Sequence, residues 1–203
     1  MQNTELDLLK MIADIDGIPS GAHNIRANGE TGSRVVTENV DIVTKTDKPG
    51  IDIIIKAGTK GESVHIPVVI SKTDYTETVY NDFYIGDDAD VTIMAGCGIH
   101  NCGDGEARHD GIHTFYVGKN AKVKYIEKHY GEGDGTGGKN MNPTTIINIA
   151  DGGYMEMETT QIKGIDSTNR ITNAVLGAEA KLVIHEKLMT LEHSLQARIS
   201  PLI

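Results

Sequence analysis

The feature that most constrains the fold of this chain is an internal repeat of 32 residues. Residues 83–93 align with residues 115–125, an offset of 115 − 83 = 32, and the same offset leads on to residues 147–157. A further copy at residues 176–184 follows after a shorter spacing, and a weaker early copy lies at residues 55–66. A fixed period of this length is typical of chains built from stacked, similar units.

Each copy reads as a strand, a tight turn that contains glycine, a small residue and a second strand. One such unit cannot bury its apolar face alone, so neighbouring copies must stack on one another. Alternation in Val91-Thr92-Ile93 places one face inward and the other outward. A β-sandwich of hairpins would use the same turns. The fixed period favours an all-β solenoid over the sandwich.

Composition and the start of the chain agree with one solenoid domain. The 203 residues include 23 Gly, 2 Phe and no Trp, which suits small repeated strands better than one large globular core. Residues 4–16 place Leu6, Leu9 and Ile12 at helical spacing and predict a short amphipathic helix. We therefore expect an N-terminal helix and linker at 1–24 and a β-helix core at 25–203.

The charge of the chain excludes some partners. Lys and Arg number 19 and Asp and Glu 29, so the formal net charge is 19 − 29 = −10. Such a chain repels phosphate backbones, so we expect no nucleic-acid partner. No apolar run approaches the roughly 20 residues of a membrane helix, and the acidic start argues against a targeting peptide. We expect a cytoplasmic protein that binds no membrane.

Chemistry is concentrated between the second and third copies. Both cysteines of the chain, Cys97 and Cys102, lie there with three of its eight histidines, His100, His109 and His113. Two cysteines this close do not form a disulfide framework. Thiolate and imidazole are the ligands that soft metals and iron–sulfur clusters select. The segment therefore predicts a metal or sulfur site.

Three interpretations of this segment stay open. Cys97, Cys102, His109 and His113 form a Cys2His2 set for zinc, although the gap of six residues between the pairs is shorter than in a zinc finger. Alternatively, Cys97 is a sulfur-handling thiol that the histidines tune, or that binds iron with them. The third interpretation makes Cys97 a small core residue and places the histidines on a solvated loop.

Two other polar patterns predict surface rather than chemistry. Residues 133–140 approach a phosphate-binding loop, but Asn140 stands where Ser or Thr must hold magnesium and Pro143 prevents a following helix. This segment predicts a surface loop and no ATPase. Glu127 and His129 alternate with Lys128 on a strand copy and so share one face, which we expect to be the solvated outer face.

Taken together, these segments resemble the SufB/SufD family, the scaffold components of the SUF iron–sulfur assembly machinery, in its short archaeal and anaerobe-type form. Residues 84–97 are similar to the family's strand that ends in a Glu-Gly-Cys-type turn, with Ala95-Gly96 departing from Glu-Gly. Residues 111–125 resemble the next turn of the family's solenoid, residues 64–67 an early one and residues 155–159 a later one. The resemblance covers nearly all of the chain.

This resemblance implies a right-handed parallel β-helix and a scaffold rather than an enzyme. It also implies a SufC-like ABC-type ATPase partner, a sulfur donor protein, and Cys97 as the residue that accepts persulfide sulfur. We expect Cys97, Cys102, His100, His109 and His113 to hold iron or a transient iron–sulfur cluster, with zinc as the alternative metal. The rival functions are a zinc-dependent enzyme and an acidic solenoid that binds a basic partner.

The end of the sequence departs from the family. Members continue with more turns and a C-terminal helical region that docks the ATPase, whereas this sequence diverges after Leu191 and stops at residues 200–203. We therefore expect a C-terminally shortened form. An open last turn is a template for pairing with another chain, so we expect a homodimer or a SufB/SufD-type heterodimer.

Overall fold

The computed structural model describes residues 3–13, 19 and 21–189. In this range the chain forms one helix and fifteen strands. The helix α1 spans Asn3–Ala13, and the strands are β1 (Ala22–Ala27), β2 (Glu30–Val35), β3 (Val40–Thr44), β4 (Gly50–Ile55), β5 (Lys60–Ile70), β6 (Tyr75–Ile85), β7 (Asp90–His100), β8 (Ala107–Val117), β9 (Lys122–Glu132), β10 (Lys139–Met141), β11 (Thr144–Ile149), β12 (Tyr154–Lys163), β13 (Ser167–Thr168), β14 (Ile171–Leu176) and β15 (Lys181–Leu188).

The strands form two sheets that the chain visits alternately. Sheet 1 has the order β15-β12-β9-β7-β5-β1-β2, and sheet 2 has the order β13-β10-β8-β6-β4-β3, with β11 pairing β8 and β14. Neighbours are parallel from β4 and β5 onward. The result is a parallel β-solenoid of about four turns. The predicted β-helix class is confirmed, and the sandwich of hairpins is excluded.

The register of the strands reproduces the sequence repeat. Phe83 lies beside Phe115, and Phe115 lies beside Ile147, each 32 residues further on. The shorter last spacing brings Ile149 beside Leu176. The rings of Phe83 and Phe115 are stacked, with centroids 4.4 Å apart. Equal spacing in the sequence is therefore equal position in successive turns.

A left-handed residue recurs in the tight turn that joins the two sheets. It occupies the third position of each four-residue turn, where φ lies between 53° and 71°. In turn order these residues are Gly58, Asp88, Asn120, Gly152 and Glu179. Gly and Asn adopt this conformation at least cost, which explains why glycine and asparagine recur in the copies.

Helix α1 packs on the outer face of sheet 1. Leu8, Leu9 and Ile12 are buried, whereas Leu6 and Met11 are exposed, so the apolar face is narrower than the predicted one. A Cβ on Gly96 of β7 would lie 2.8 Å from the carbonyl oxygen of Ile12. The glycine therefore lets the helix backbone approach the sheet closely. No helix in the described range is long and apolar enough to cross a membrane.

The two ends of the solenoid differ. At the N-terminal end, β2 and β3 run antiparallel to β1 and β4 and cover the first turn. Within residues 21–189, β14 and β15 pair on one side only. The predicted divergence after Leu191 and the predicted helix residues 14–16 lie outside the described residues. The predicted pairing through the last turn stays a prediction.

Candidate functional site

The interior of the solenoid changes from apolar to polar along the strands. Near the tight turns, the inward side chains are Phe, Ile, Val and Ala, which form the main core. Further from these turns, the inward positions carry buried polar groups. These are Glu77, Asn81, His109, His113, Glu127 and His129. Buried polar groups carry a cost unless they are paired, so their concentration at one place marks the candidate site.

These side chains surround a small cavity between the two sheets. Its volume is about 20 Å³, which is room for about one water molecule or one metal ion. Its walls are Ile66, Val68, Asn81, Gly96, Cys97, His109, Gly111, His113, Glu127, His129, Met141 and Pro143. A thiol, three imidazoles and a carboxylate thus face one small space.

His109 is held by a carboxylate from the neighbouring strand. Its Nδ1 lies 3.1 Å from Oε2 of Glu77, and Arg26 donates to the other oxygen of Glu77 at 2.5 Å. Burial alone would raise the pKa of Glu77, but the hydrogen bond from His109 and the charge of Arg26 outweigh it and lower the pKa. Because an ionised carboxylate only accepts, Nδ1 of His109 carries the proton and Nε2 keeps its lone pair.

His113 is held in the same way through a tyrosine. The Tyr125 hydroxyl donates to Oε1 of Glu127 at 3.0 Å, so its oxygen accepts from Nδ1 of His113 at 2.8 Å. Burial lowers the pKa of His113 to about 4, against the opposing charge of Glu127. The ring is therefore neutral, with its lone pair on Nε2. Asn81 donates to that lone pair at 3.3 Å.

The two free lone pairs converge over Gly111. A Cβ built on this glycine would lie 3.3 Å from Nε2 of His113 and 3.4 Å from Nε2 of His109. The two nitrogens are therefore at most 3.3 + 3.4 = 6.7 Å apart. Any larger residue at position 111 would fill the space between them. Imidazoles whose other nitrogen donates to a carboxylate, directly or through a hydroxyl, are oriented as metal ligands usually are.

Cys97 and His129 complete the cavity from sheet 1. They are register partners on β7 and β9, and Nε2 of His129 lies 3.6 Å from Oε1 of Glu127. Burial, with the charges of Glu77 and Glu127, raises the pKa of the Cys97 thiol well above its usual range. The resting Cys97 is therefore a neutral thiol. In the described part of the chain, no three such side chains already stand close enough to hold a metal ion, so binding requires side-chain movement.

The structure divides the predicted ligand set into two groups. Cys97, His109 and His113 face the interior cavity. His100 and Cys102 lie at the end of β7 and just after it, where Sγ of Cys102 is 3.1 Å from Nε2 of His100. Cys102 is exposed, whereas Cys97 is buried. Alternation along β7 separates the groups, because odd positions face inward and even positions face outward.

Glu127 and His129 correct the sequence analysis. They share one face as predicted, but that face is the interior, where they are 3% and 5% exposed. The prediction of a solvated outer face is wrong. The signal was present in the repeat, since inward Val123 and Tyr125 share the alternation that leads on to Glu127 and His129. Their charges hid this phase, and nothing in the sequence pointed to Arg26 as the partner of Glu77.

Comparisons with protein-family models, with curated proteins and with solved structures find no match for this chain. The resemblance to the SufB/SufD family therefore stays a prediction. The function must be argued from the geometry of the cavity and of the residues around it.

Proposed function

We propose that this chain is a scaffold for iron–sulfur cluster assembly, of the SufB/SufD kind, whose interior cavity takes up one metal ion as cargo. The observation that supports the proposal is the convergence of His109 and His113 over Gly111, beside the thiol of Cys97. Imidazole and thiolate together suit iron and zinc and suit magnesium or calcium poorly. The donor set is thus of the right class for such cargo.

The carboxylates support a cation in this cavity. Glu127 keeps its negative charge although burial opposes it, because Arg170, His129 and His113 hold its pKa well below the usual range. Arg170 and Arg26 already balance the two buried carboxylates. A bound cation would add the charge that favours deprotonation of Cys97, so the neutral thiol of the resting state becomes a ligand only with the metal.

The size of the cavity favours a single ion over a finished cluster. A [2Fe–2S] cluster contains two irons and two sulfides, and a cavity of about 20 Å³ has room for about one water-sized particle. The proposal therefore gives this chain an early role, in which it receives iron before the cluster is complete. Uptake of iron as cargo is also why we propose a scaffold and no enzyme.

The partner and sulfur roles belong to the same proposal. Cys97 as sulfur acceptor, a sulfur donor protein, a SufC-like ABC-type ATPase, a homodimer or SufB/SufD-type heterodimer and a cytoplasmic location all stay predictions. The burial of Cys97 adds one requirement to them. Because thiolate is the nucleophile, sulfur transfer to Cys97 needs the interior to open or the thiol to be deprotonated by bound metal.

The test is anaerobic titration with Fe(II), and with Co(II) as a spectroscopic probe. We expect one ion per chain and a thiolate-to-Co(II) charge-transfer band that is lost in Cys97→Ala. Gly111→Ala should abolish binding while the circular dichroism stays that of the wild type, because its Cβ fills the space between the two imidazoles. Gly138→Ala is the matched control, since its Cβ meets only the side chain of Asn140 at a similar 3.3 Å.

Three outcomes would overturn the proposal. Wild-type protein that binds no ion has no such cargo site. Unchanged affinity in Gly111→Ala would place the ion elsewhere. Stoichiometric zinc, without iron, in protein purified in the absence of oxygen would favour a resident zinc site and the alternative of a zinc-dependent enzyme.

A further inference from the structure

A second reactive group lies on the outer face of sheet 1, where β7 ends. Sγ of Cys102 is 3.1 Å from Nε2 of His100, and Nδ1 of His100 is 3.2 Å from Oε1 of Glu132 on β9. Tyr130 donates to the other oxygen of Glu132 at 3.1 Å. Thiol, imidazole and carboxylate thus follow one another in a single hydrogen-bonded chain.

The order of these groups sets their chemistry. Because the Glu132 carboxylate accepts from Nδ1, the neutral ring of His100 presents a lone pair on Nε2 toward the Cys102 thiol. A nucleophile, a base within reach and a group that orients the base form the general pattern of an activated nucleophile. Cys102 is exposed to solvent, so a molecule from outside can reach it without opening of the solenoid.

The loop that carries Cys102 is held firmly in place. The side-chain amide of buried Asn101 donates to the carbonyl oxygens of Gly105 at 2.9 Å and of Gly137 at 3.2 Å, and its oxygen accepts from the Gly103 N–H at 3.1 Å. The loop at 133–137 stacks on it, and a Cβ at Gly135 would lie 2.3 Å from the Gly103 carbonyl oxygen. Such support keeps a thiol and its base in fixed relation.

We propose that Cys102 is a nucleophilic thiol that exchanges with disulfides, with His100 as its general base and Glu132 as the residue that positions His100. The proposal rests on the outer group alone and is independent of the cargo site. His100 takes the proton of the Cys102 thiol, and the thiolate attacks one sulfur of a disulfide R–S–S–R′. A mixed disulfide Cys102–S–S–R forms as the S–S bond breaks, and the R′–S⁻ leaving group takes the proton from His100.

The surroundings favour attack at sulfur over attack at a carbonyl carbon. Acyl transfer needs backbone donors for an oxyanion, but the N–H of Gly103 already donates to Asn101. Exchange at sulfur develops no oxyanion. The stacked loops carry Asp104, Glu106 and Asp134, and the chain has a net charge of −10. The disulfide it favours is therefore cationic or neutral, and anionic disulfides are repelled.

The experiment follows thiopyridone release from 4,4′-dithiodipyridine by stopped flow between pH 5 and 9. We expect one fast thiol per chain, identified as Cys102 by mass spectrometry, and a slow Cys97. In His100→Gln the rate near pH 6 should fall at least about tenfold, whereas the two rates should converge above the pH where an unassisted thiol ionises, near 8.5. His185→Gln, which removes an exposed histidine of β15, is the control and should change neither rate nor profile.

The role of Glu132 and the choice of disulfide have their own measurements. Glu132→Gln should keep a base but displace the pH–rate profile, which a merely structural residue would not do. Cystamine should react faster than oxidised glutathione, and the difference should shrink as salt is added. Equal pH–rate profiles for wild type and His100→Gln, or a Cys102 that reacts no faster than the thiols of the urea-unfolded chain, would refute the proposal.

Discussion

Arg170 donates from Nη2 to Oε2 of Glu127 across 2.7 Å, although 43 positions separate the two residues in the sequence. Both are buried, with side chains 14% and 4% exposed. Arg170 follows β13 in the last described turn, whereas Glu127 lies on β9, two turns earlier in sheet 1. This buried ion pair ties the last turn to the polar interior around the cavity.

Replacement of Arg170 should be among the most damaging single changes. In Arg170→Met the carboxylate of Glu127 keeps a hydrogen bond from Tyr125 but loses its main opposite charge. Removal of one partner of a buried pair costs about 3–5 kcal/mol, and we expect a loss of about that size in the free energy of unfolding at pH 7, measured by urea denaturation. The double variant Glu127→Gln/Arg170→Met should be more stable than Arg170→Met alone. Equal stabilities would show that the pair carries no coupling.

His113 predicts how the stability of the apo protein depends on pH. Its pKa is about 4 in the folded chain and 6.5 is its ordinary value, so the unfolded chain binds the proton more readily. The stabilisation is complete above pH 6.5 and is lost as the pH falls toward 4. The difference of about 2.5 units corresponds to about 3 kcal/mol.

The measurement compares wild type with His113→Asn, each with a chelator present. The free energy of unfolding of the wild type should fall more steeply between pH 6.5 and 4.5 than that of the variant. The carboxylates of Glu127 and Glu77, whose pKa values are lowered, lose their stabilisation at lower pH in both proteins. Parallel curves would mean that His113 is not held neutral.

The fold could be predicted because it is written in a period. Alignment of residues 83–93 with 115–125 fixed both the stacking and its register, and Phe83 does lie beside Phe115. Apolar residues and tight turns repeat with the period, and a solenoid has no other way to bury them. The last copy, at a shorter spacing, was equally visible because its turn keeps the pattern at residues 177–180.

The site could be predicted only in part, because charge is ambiguous about direction. Crowding of cysteine and histidine marked residues 97–113, and three of its five candidates do face one cavity. Alternation alone would have separated Cys97 from His100. The inward carboxylates were missed because a charged residue is seldom buried unless it is paired, and the partner of Glu127 lies 43 residues away. Such a pairing is a property of the stacked turns and leaves no local trace.

Glu179 offers a test of the tight-turn geometry. It holds φ at 57° at the position where other turns have Gly, Asp or Asn. This conformation costs a residue with a side chain roughly 1 kcal/mol relative to glycine. Glu179→Gly should therefore raise the free energy of unfolding by about 1 kcal/mol, measured by urea denaturation.

Ala178 provides the matched control in the same turn. It is exposed, as Glu179 is, and its φ is not positive, so glycine there gains no relief and only increases the freedom of the unfolded chain. Ala178→Gly should be destabilising by about 0.5–1 kcal/mol. A stabilising effect of both substitutions, or of neither, would contradict the assignment of strain to position 179.

Metal uptake should release protons, and their number identifies the ligand. The pKa of Cys97 is raised well above its usual range, so its thiol is protonated throughout pH 6–8. His113, with a pKa of about 4, is already neutral there. Because a thiol must lose its proton to bind metal, the logarithm of the binding constant for Co(II) should rise with pH at a slope of about one proton per ion.

Calorimetric titration in two buffers with different ionisation enthalpies measures that proton directly. Cys97→Ala should bind Co(II) more weakly and with no proton release from a thiol in this pH range. Cys102→Ala should keep the wild-type slope, because Cys102 lies on the outer face and does not line the cavity. A slope near zero in the wild type, or a slope that survives Cys97→Ala, would mean that Cys97 does not bind the ion. The cavity would then hold its cargo through imidazoles and carboxylates alone.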